Sequence, residues 1–171
     1  AAENQTAIGS VVATDAEEDP LTYAVSGAEL AISSTGVLTF VAAPDYETKA
    51  TYTATVTVND GVNNTTQAIT VSVTNVNDIA PVISSAATFS AAENQTAIGS
   101  VVATDAEDDP LTYSISGTEL AISSTGVLTF ASAPDFETKS SYTATVTVND
   151  GVNDTTQAIT VTVTNVNDVA P

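Results

Sequence analysis

The amino-acid sequence predicts an all-β protein that consists of two tandem β-sandwich domains. Three observations predict this fold class: an internal repeat of 90 residues, short runs in which apolar and polar residues alternate, and Gly, Pro, Asn and Asp residues between those runs. In no part of the sequence do apolar residues follow helical spacing over three turns. Six or seven short strands in each repeat are typical of an antiparallel sandwich.

The repeat defines the domain organisation. Residues 1–81 and 91–171 differ at only 12 of 81 aligned positions. Each copy has the size of a small domain, so the duplication predicts two domains, 1–81 and 82–171. The second copy is preceded by VISSAATFS at 82–90, which has no counterpart before the first copy. We therefore expect a piece of a longer array whose first domain lacks its N-terminal strand.

The clearest strands form a predicted hairpin late in each repeat. In ATYTATVTVNDG, at 50–61, apolar residues at every second position from Tyr52 to Val58 alternate with threonine. This pattern predicts a strand with one buried face. The run QAITVSVTNV, at 67–76, has the same alternation, and the turn formers NDG and NNTT lie between the two runs.

Three shorter strands are expected before this hairpin, in SVVATD, LTYAVS and GVLTF. Gly, Pro and Asp residues separate these runs from one another. Large aromatic side chains in predicted strands are typically buried, so we expect Tyr23, Phe40 and Tyr52 in the core of the first domain.

The charge of the chain excludes several classes of function. With 21 acidic and two basic residues, the formal net charge is −19, and nucleic-acid binding, which needs a basic surface, is excluded. The sequence contains neither His nor Cys, which removes imidazole and thiolate metal ligands and the usual catalytic pairs. We expect no enzyme activity. No apolar run is long enough to span a membrane.

The acidic residues are concentrated in five short motifs that recur in both copies: AEN, DAEED or DAEDD, DYE or DFE, NDG, and NVND. These acid motifs hold 18 of the 21 acids, and the exceptions are Glu29, Glu119 and Asp154. Because the connections of a sandwich gather at its two ends, motifs of the two copies can meet where the domains join. Seven carboxylates would then come together, on Glu3, Asp45, Glu47, Asp78, Asp105, Glu107 and Asp150.

Such a cluster needs cations. Two carboxylates about 4 Å apart repel by roughly 4 kcal/mol at an effective dielectric constant near 20. Sites built only from oxygen ligands suit Ca²⁺, which takes six to eight of them in irregular geometry. Three Ca²⁺ ions would reduce the formal charge of the seven carboxylates from −7 to −1.

The five motifs, in this order, resemble the cadherin repeat. AEN is similar to the PEN-like motif of that family, DAE to its DxD motif, and PDYE and PDFE to its LDRE motif. The NDG aspartates Asp60 and Asp150 match its late-strand aspartate, and NVNDIAP (75–81) and NVNDVAP (165–171) match its DxNDNAP linker. Near-identical repeats without Cys, rich in Thr and Val, are more similar to bacterial cadherin-like surface repeats than to animal cadherins.

The resemblance implies a seven-stranded Greek-key sandwich with Ca²⁺ at the domain junction. Carried over to this sequence, it implies two ions held by Glu3, Asp45, Glu47, Asn75, Asp78 and the Val76 carbonyl. It implies a third ion held by Asn77, the Ile79 carbonyl, Asp105, Glu107 and Asp150. Asn75, Ile79 and Glu107 replace the Asp, Asn and Asp usual in the family, so the predicted number of ions is two or three.

The predicted function is a Ca²⁺-rigidified tandem module of an extracellular, secreted or cell-surface adhesin or spacer array. Its partners would be the neighbouring repeats of that array. Two alternatives remain open, homophilic adhesion and direct binding of polysaccharide. Sugar binding usually uses exposed aromatic residues, so exposure of Tyr46 and Phe136 would favour the second. Each acid motif alone also fits a solvated loop or a capped turn.

Overall fold

Two compact units make up the chain in the computed structural model, which describes residues 1–168. Unit 1 spans Ala1–Val76 and unit 2 begins at Asn77. The division falls inside NVNDIAP at 75–81, hereafter the linker. All regular structure in the described residues is β-strand, which confirms the predicted fold class. The domain bounds predicted from the sequence, 1–81 and 82–171, stay a prediction.

Unit 1 is a sandwich of two three-stranded antiparallel sheets. Its strands are β1 (Ala7–Ser10), β2 (Thr22–Val25), β3 (Leu30–Ile32), β4 (Val37–Phe40), β5 (Thr51–Asn59) and β6 (Asn64–Ser72). One sheet has the order β1-β4-β3 and the other β2-β5-β6. The chain therefore changes sheet between β1 and β2, β2 and β3, and β4 and β5, as in a Greek key.

Unit 2 repeats this arrangement with more strand segments. They are β7 (Val82–Ile83), β8 (Thr88–Ala92), β9 (Ala97–Ser100), β10 (Ala103–Thr104), β11 (Thr112–Ile115), β12 (Leu120–Ile122), β13 (Val127–Phe130), β14 (Ser141–Asn149) and β15 (Asp154–Thr164). The sheets are β11-β14-β15-β8, β12-β13-β9 and the short pair β10-β7. The segments β7 with β8, and β9 with β10, each correspond to one interrupted strand of the predicted seven.

The first and last strands of unit 2 are neighbours and run parallel. β8 pairs with β15 from Thr88 opposite Thr160 to Ala92 opposite Thr164. In unit 1 a single parallel bridge, between Ala2 and Thr74, stands at the corresponding place. The described pairing of first to last strand is therefore shorter in unit 1 than in unit 2.

The alternating residues of the long hairpin form one side of the core of each unit, and residues of the opposite sheet form the other side. β5 and β6 pair in register from Thr51 opposite Ser72 to Asn59 opposite Asn64, which confirms the predicted hairpin. Phe40 is buried, and its ring lies 4.9 Å from that of Tyr52 in an edge arrangement. The core prediction is confirmed for Phe40 and for Tyr52, which is half-buried and packs against the core. Tyr23 is half-buried as well.

The strand predicted in SVVATD lies elsewhere. β1 and β9 end at Ser10 and Ser100, before most of that run. In unit 2 two of its residues form β10, where Ala103 pairs with Ile83 of β7. The matching residues 11–15 of unit 1 form no strand. A strand forms only where a neighbouring segment provides backbone hydrogen-bond partners. The local sequence of SVVATD does not reveal whether such a segment is present.

The cores of the two units differ in how completely they are covered. In unit 2, Ile83 of β7 packs against a core in which Val148 is fully buried. Val58, which is the counterpart of Val148 in unit 1, is only half-buried. An open groove in unit 1 is lined by Val11, Val12, Ala13, Val56, Val58 and Gln67, among others. This groove corresponds to the place that β7 covers in unit 2.

Covering this groove should stabilise unit 1. We expect a variant with a copy of PVISSAATFS (81–90) placed before Ala1 to gain about 1–2 kcal/mol of unfolding free energy in unit 1, because the residue copied from Ile83 becomes half-buried against the core. Urea unfolding followed by amide hydrogen exchange of each unit measures the gain. A control segment carries serine in place of that isoleucine. Equal stabilisation by both segments would contradict the packing argument.

A second prediction concerns Gly126, which has a φ of 80°. A Cβ atom there would clash with the carbonyl oxygen of Val101. Gly117 has a nearly equal φ of 82° but open space around its Cβ position. We expect G117A to cost about 1 kcal/mol and G126A at least about 2 kcal/mol more, measured as loss of unfolding free energy. Equal losses would show that the close approach to Val101 is unimportant.

Candidate metal centre

At the N-terminal end of unit 2, one glutamate holds the linker. The amide groups of Asp78 and Ile79 donate to the same oxygen of Glu107, Oε2, at 3.0 and 2.8 Å. Hydrogen bonds from backbone amides to a carboxylate are stronger than those to a neutral acceptor. Glu107 thereby fixes the conformation of the linker at the start of unit 2.

The loop DAEDD places further carboxylates beside Glu107. Asp105 Oδ1 accepts the amide of Glu107 at 2.9 Å and that of Asp109 at 3.4 Å, so the chain turns back around the Asp105 side chain. Asp108 has a φ of 61°, in the left-handed region that Asp tolerates better than most residues. As a result, carboxylate oxygens of Asp105, Glu107 and Asp109 lie within 4.8 Å of one another.

Two oxygens of this group are buried without a hydrogen-bond partner. They are Asp105 Oδ2 and Glu107 Oε1, the second oxygen of each carboxylate whose first oxygen is held by amides. A buried carboxylate oxygen without a donor is unfavourable, because its desolvation is not compensated. The arrangement fits a cation, which would satisfy both oxygens and offset the repulsion within the group.

The NDG loop of unit 2 lies against the linker as well. Asp150 is buried, and its Oδ1 accepts the amides of Val152 and Asn153 at 2.7 and 2.6 Å. The side-chain nitrogen of Asn153, Nδ2, donates to Asp150 Oδ2 at 3.1 Å and to Asn77 Oδ1 at 2.8 Å. Asn77 donates in turn to the Asp150 carbonyl at 3.3 Å. Asp150 therefore organises its own loop and anchors the linker through Asn153.

At the C-terminal end of unit 1, Glu3 ties three segments together. Its side chain is buried, and Oε2 accepts the amide of Tyr46 at 2.7 Å while Oε1 accepts the amide of Val76 at 2.6 Å. The Glu3 amide donates to the Thr74 carbonyl at 3.2 Å. Both oxygens of Glu3 are thus engaged by backbone, and further lone pairs remain for a cation because each carboxylate oxygen has two.

Asp45 caps the turn in which it lies. Its Oδ1 accepts the Thr48 amide at 3.1 Å and its Oδ2 the Thr48 hydroxyl at 2.9 Å, while the Lys49 amide donates to the Asp45 carbonyl. This is the capped-turn arrangement that the sequence left open for DYE. Glu47 in this turn is exposed, and its carboxylate lies within 4.8 Å of that of Glu3.

The second copy repeats this set at the C-terminal end of unit 2. Glu93 is buried and accepts the amides of Phe136 and Val166 at 2.7 and 2.6 Å. Oxygens of Glu93, Glu137 and Asp168 lie within 4.8 Å of one another. The side-chain amide of Asn165 donates to Glu137 at 2.7 Å, and that of Asn94 to Asp168 at 2.6 Å. Residues 169–171, which complete the NVNDVAP motif at 165–171, lie outside the described residues.

The two lysines are engaged with acids outside the motifs. Lys49 Nζ lies 2.6 Å from Glu29 Oε1 and 4.5 Å from the centre of the Tyr52 ring. Lys139 repeats these contacts with Glu119 and Tyr142. The position of Glu29 and Glu119 outside the acid motifs is explained by this pairing. Both ammonium groups are thus paired away from the acid motifs, and neither of these ion pairs neutralises a carboxylate of those motifs.

The structure divides the predicted ligands between the two units. Unit 1 holds Glu3, Asp45, Glu47, Asn75 and Val76. Unit 2 holds Asn77, Asp78, Ile79, Asp105, Glu107 and Asp150. Within unit 2, the hydrogen bonds described above bring the linker residues to the two loops. Their roles as metal ligands stay a prediction.

Sequence reasoning missed two residues. Asp109 belongs to the carboxylate group of the DAEDD loop, although it was not among the predicted ligands. Asn153 was not predicted either, yet its side chain bonds both Asp150 and Asn77. The sequence feature that points to Asp109 is its position four residues after Asp105. At that spacing its backbone amide reaches the Asp105 carboxylate.

Hydrogen bonding lowers the pKa of four aspartates. For Asp45 and Asp135 the main cause is the Thr48 or Thr138 hydroxyl. For Asp60 it is the amide of Asn63, followed by that of Val62. For Asp150, burial raises the pKa, but the combined hydrogen bonds from Asn153, Val152 and Asn77 outweigh it and the net shift is downward. These carboxylates are therefore held in the charged form, which a cation site requires.

A family model described as "Bacterial Ig domain" matches the chain twice, at residues 1–74 and 77–164. The two matches fall one in each unit and leave only the first two linker residues, Asn75 and Val76, between them.

Two curated proteins are similar in sequence. Chitinase A of Pseudoalteromonas piscicida is 37% identical over 155 residues, which is 87% of this chain and 19% of that protein. Human cadherin-related family member 2 is 39% identical over 97 residues, which is 54% of this chain and 7% of that protein. The chain thus spans a fifth or less of the length of these relatives.

Solved structures of cadherin tandem domains have the same fold. Human protocadherin-24 EC1-2 matches with a TM-score of 0.80 and 25% identity, covering 96% of this chain and 90% of that one. Mouse cadherin-23 EC22-24 matches with a TM-score of 0.82 and 23% identity, covering 98% of this chain and 63% of that one. The resemblance to cadherin repeats inferred from the motifs is confirmed at the level of the fold.

The lowered pKa values predict loss of stability in acid. A carboxylate whose pKa is lower in the folded state stabilises the fold above its unfolded value, which is 3.8 for these aspartates, and loses that effect as the pH falls through the folded value. With chelator present, we expect the unfolding free energy to be level above about pH 5 and to fall below about pH 4.

A variant with D60N and D150N keeps the turn acceptors but removes two titrating groups. We expect its unfolding free energy, from urea titrations across the same pH range, to fall less steeply in acid than that of the unchanged chain. Superimposable pH profiles would contradict the assignment of acid sensitivity to these turns.

Proposed function

The chain belongs to the bacterial Ig domain family, and on that premise we propose that it is a Ca²⁺-binding tandem module whose linker is stiffened by the ions it binds. Two ions would be held by Glu3, Asp45, Glu47, Asn75, Asp78 and the Val76 carbonyl. A third would be held by Asn77, the Ile79 carbonyl, Asp105, Glu107 and Asp150. The observation that carries the proposal is the pair of buried oxygens, Asp105 Oδ2 and Glu107 Oε1, that no donor reaches.

Those oxygens favour a cation over a solvated loop. A solvated loop would leave both carboxylate oxygens in water, yet here one oxygen of each residue is held by amides and the other is buried. Asp109 adds a third carboxylate within 4.8 Å. Hard oxygen ligands of this kind, without nitrogen or sulfur, suit Ca²⁺.

The second copy supports the composition of the remaining set. Glu93, Glu137 and Asp168 share one group of carboxylates inside unit 2. In the first copy the same sequence positions are Glu3, Glu47 and Asp78. The proposed grouping of Glu3, Glu47 and Asp78 therefore has a precedent, because the same motifs bring their carboxylates together within unit 2.

The placement of the ligands along the chain gives the module its role. Asn75 and Val76 precede the division between the units, and Asn77, Asp78 and Ile79 follow it. An ion that takes ligands on both sides restricts the backbone dihedrals between them, and Pro81 restricts the end of the linker further. Extracellular Ca²⁺ modules typically bind in the range of about 0.1–1 mM. We therefore propose a spacer or adhesin array outside the cell, in which Ca²⁺ keeps successive domains extended.

A second candidate function is suggested by the similarity to chitinase A. The matched region covers most of this chain but only 19% of that protein, so its activity is not carried over. An accessory module of a protein that acts on polysaccharide could itself contact the polysaccharide. This candidate is compatible with the Ca²⁺ sites, since it concerns a different part of the surface.

The Ca²⁺ proposal is tested by replacing Glu107. We expect the unchanged chain to bind two or three Ca²⁺ ions in calorimetric titrations, and E107Q to lose one of them or to bind it at least about tenfold more weakly, because a neutral amide oxygen replaces a carboxylate ligand. Small-angle scattering of the same samples should change on addition of Ca²⁺ and return on addition of chelator.

Glu119 provides the matched control, because it pairs with Lys139 and lies outside the acid motifs. E119Q makes the same chemical change and should leave the number of ions and their affinities unaltered. Identical titrations of the unchanged chain and E107Q, or heats and scattering that ignore Ca²⁺, would overturn the proposal and leave the motifs as solvated loops.

A further inference from the structure

The outer face of the four-stranded sheet in unit 2 is covered by hydroxyl groups. On β14, Ser141, Thr143, Thr145 and Thr147 alternate with the core residues from Tyr142 to Val148. The strand registers align these hydroxyls in rows across three strands, among them Thr88–Thr160–Thr143 and Ser90–Thr162–Ser141. We refer to these rows and their neighbours on the same side of the sheet as the hydroxyl face.

The hydroxyl face has a regular spacing in two directions. Every second residue of a strand returns to the same face after about 6.6–6.8 Å, and neighbouring strands lie about 4.7–4.9 Å apart. A third row, Ser114–Thr147–Thr156, continues the pattern onto β11. The face therefore presents donors and acceptors at repeated intervals instead of a single pocket.

The face carries little charge in a strongly acidic chain. The four strands β11, β14, β15 and β8 contain one charged residue, Asp154, which lies at the edge of the face, at the first position of β15. The remaining acids of unit 2 lie in the turns and loops. Anionic ligands such as phosphates or nucleic acid gain no ion pair here, and the net charge of −19 disfavours their approach.

Most of these hydroxyls are available to a ligand. In the described part of the chain, the hydroxyls of Thr112 and Thr164, which lie beside the rows, donate to the carbonyls of Asn149 and Ala91. No described hydrogen bond uses a hydroxyl of the three rows themselves. A threonine or serine hydroxyl can both donate and accept, so each can pair with either kind of group on a ligand.

We propose that the hydroxyl face binds a neutral polysaccharide in ordered, fibrous form. This inference rests on the second candidate function above and names the surface that would carry it. A polysaccharide fibre repeats hydroxyl and ether groups at regular intervals, which matches a face that repeats donors and acceptors. Each exposed hydrogen bond contributes little on its own, so retention depends on many simultaneous contacts, which a fibre provides and a short soluble oligosaccharide does not.

Aromatic stacking does not provide an equivalent surface in both copies. Tyr46 is 36% exposed, but its counterpart Phe136 packs against the core of unit 2. The hydroxyl face, by contrast, recurs in unit 1, where Thr53 pairs with Thr70 and Thr51 with Ser72. A surface present in both units suits a ligand that is itself repetitive.

The test uses the whole chain and chitin fibres, with cellulose fibres as a second neutral polysaccharide. The variant carries T53K and T143K, one bulky charged side chain in the middle of each hydroxyl face. The matched control carries S34K and S124K, which add the same charge to exposed turn residues of the other sheets. Thermal unfolding of both variants checks that the fold is retained.

We expect the unchanged chain and the control to be retained on at least one fibre, and the face variant to bind about tenfold more weakly, because the lysines break the rows of contacts. Equal retention of the face variant and the control would overturn the assignment of this surface while leaving the second candidate function intact. Absence of retention on both fibres would overturn both. The Ca²⁺ titration of E107Q is independent of either result.

Discussion

A buried glutamate carboxylate that accepts two backbone amides is the interaction on which the ends of these domains depend. Glu3 joins the amides of Tyr46 and Val76, and Glu93 repeats this with Phe136 and Val166. Hydrogen bonds to a charged acceptor contribute about 1.5–3 kcal/mol each, and the loss of the acceptor would leave two amides unsatisfied. The start of each unit, its DYE or DFE turn and the segment that leaves the unit are thereby held in one place. The acid motifs are brought together because this carboxylate fixes their backbones.

Much of the architecture could be predicted because the sequence contains its causes locally. The alternation from Tyr52 to Val58 is sufficient to define β5 and its buried face, and NDG marks the turn after it. The strand predicted in the SVVATD run of unit 1 was wrong, and in unit 2 two residues of the same run form a strand by pairing with the distant segment Val82–Ile83. Residues such as Ala103 become strand through a ladder that no local pattern encodes.

The candidate site was predictable in the type of its residues and less so in their roles. Carboxylates in ordered motifs identify Asp105 and Glu107 as a pair, and the structure places them together. The sequence does not show that both carboxylate oxygens of Asp45 accept hydrogen bonds from Thr48. Nor does it show that the Asn153 side chain connects Asp150 to Asn77. These roles depend on backbone conformation, including the left-handed residue Asp108, and short polar side chains adopt several such conformations.

The parallel pairing of β8 with β15 has a mechanical consequence. Tension applied to the two ends of unit 2 pulls its first and last strands in opposite directions along their length. Because the strands are parallel and paired from Thr88–Thr160 to Ala92–Thr164, the load falls on all of these hydrogen bonds at once, in shear, and they cannot open one after another.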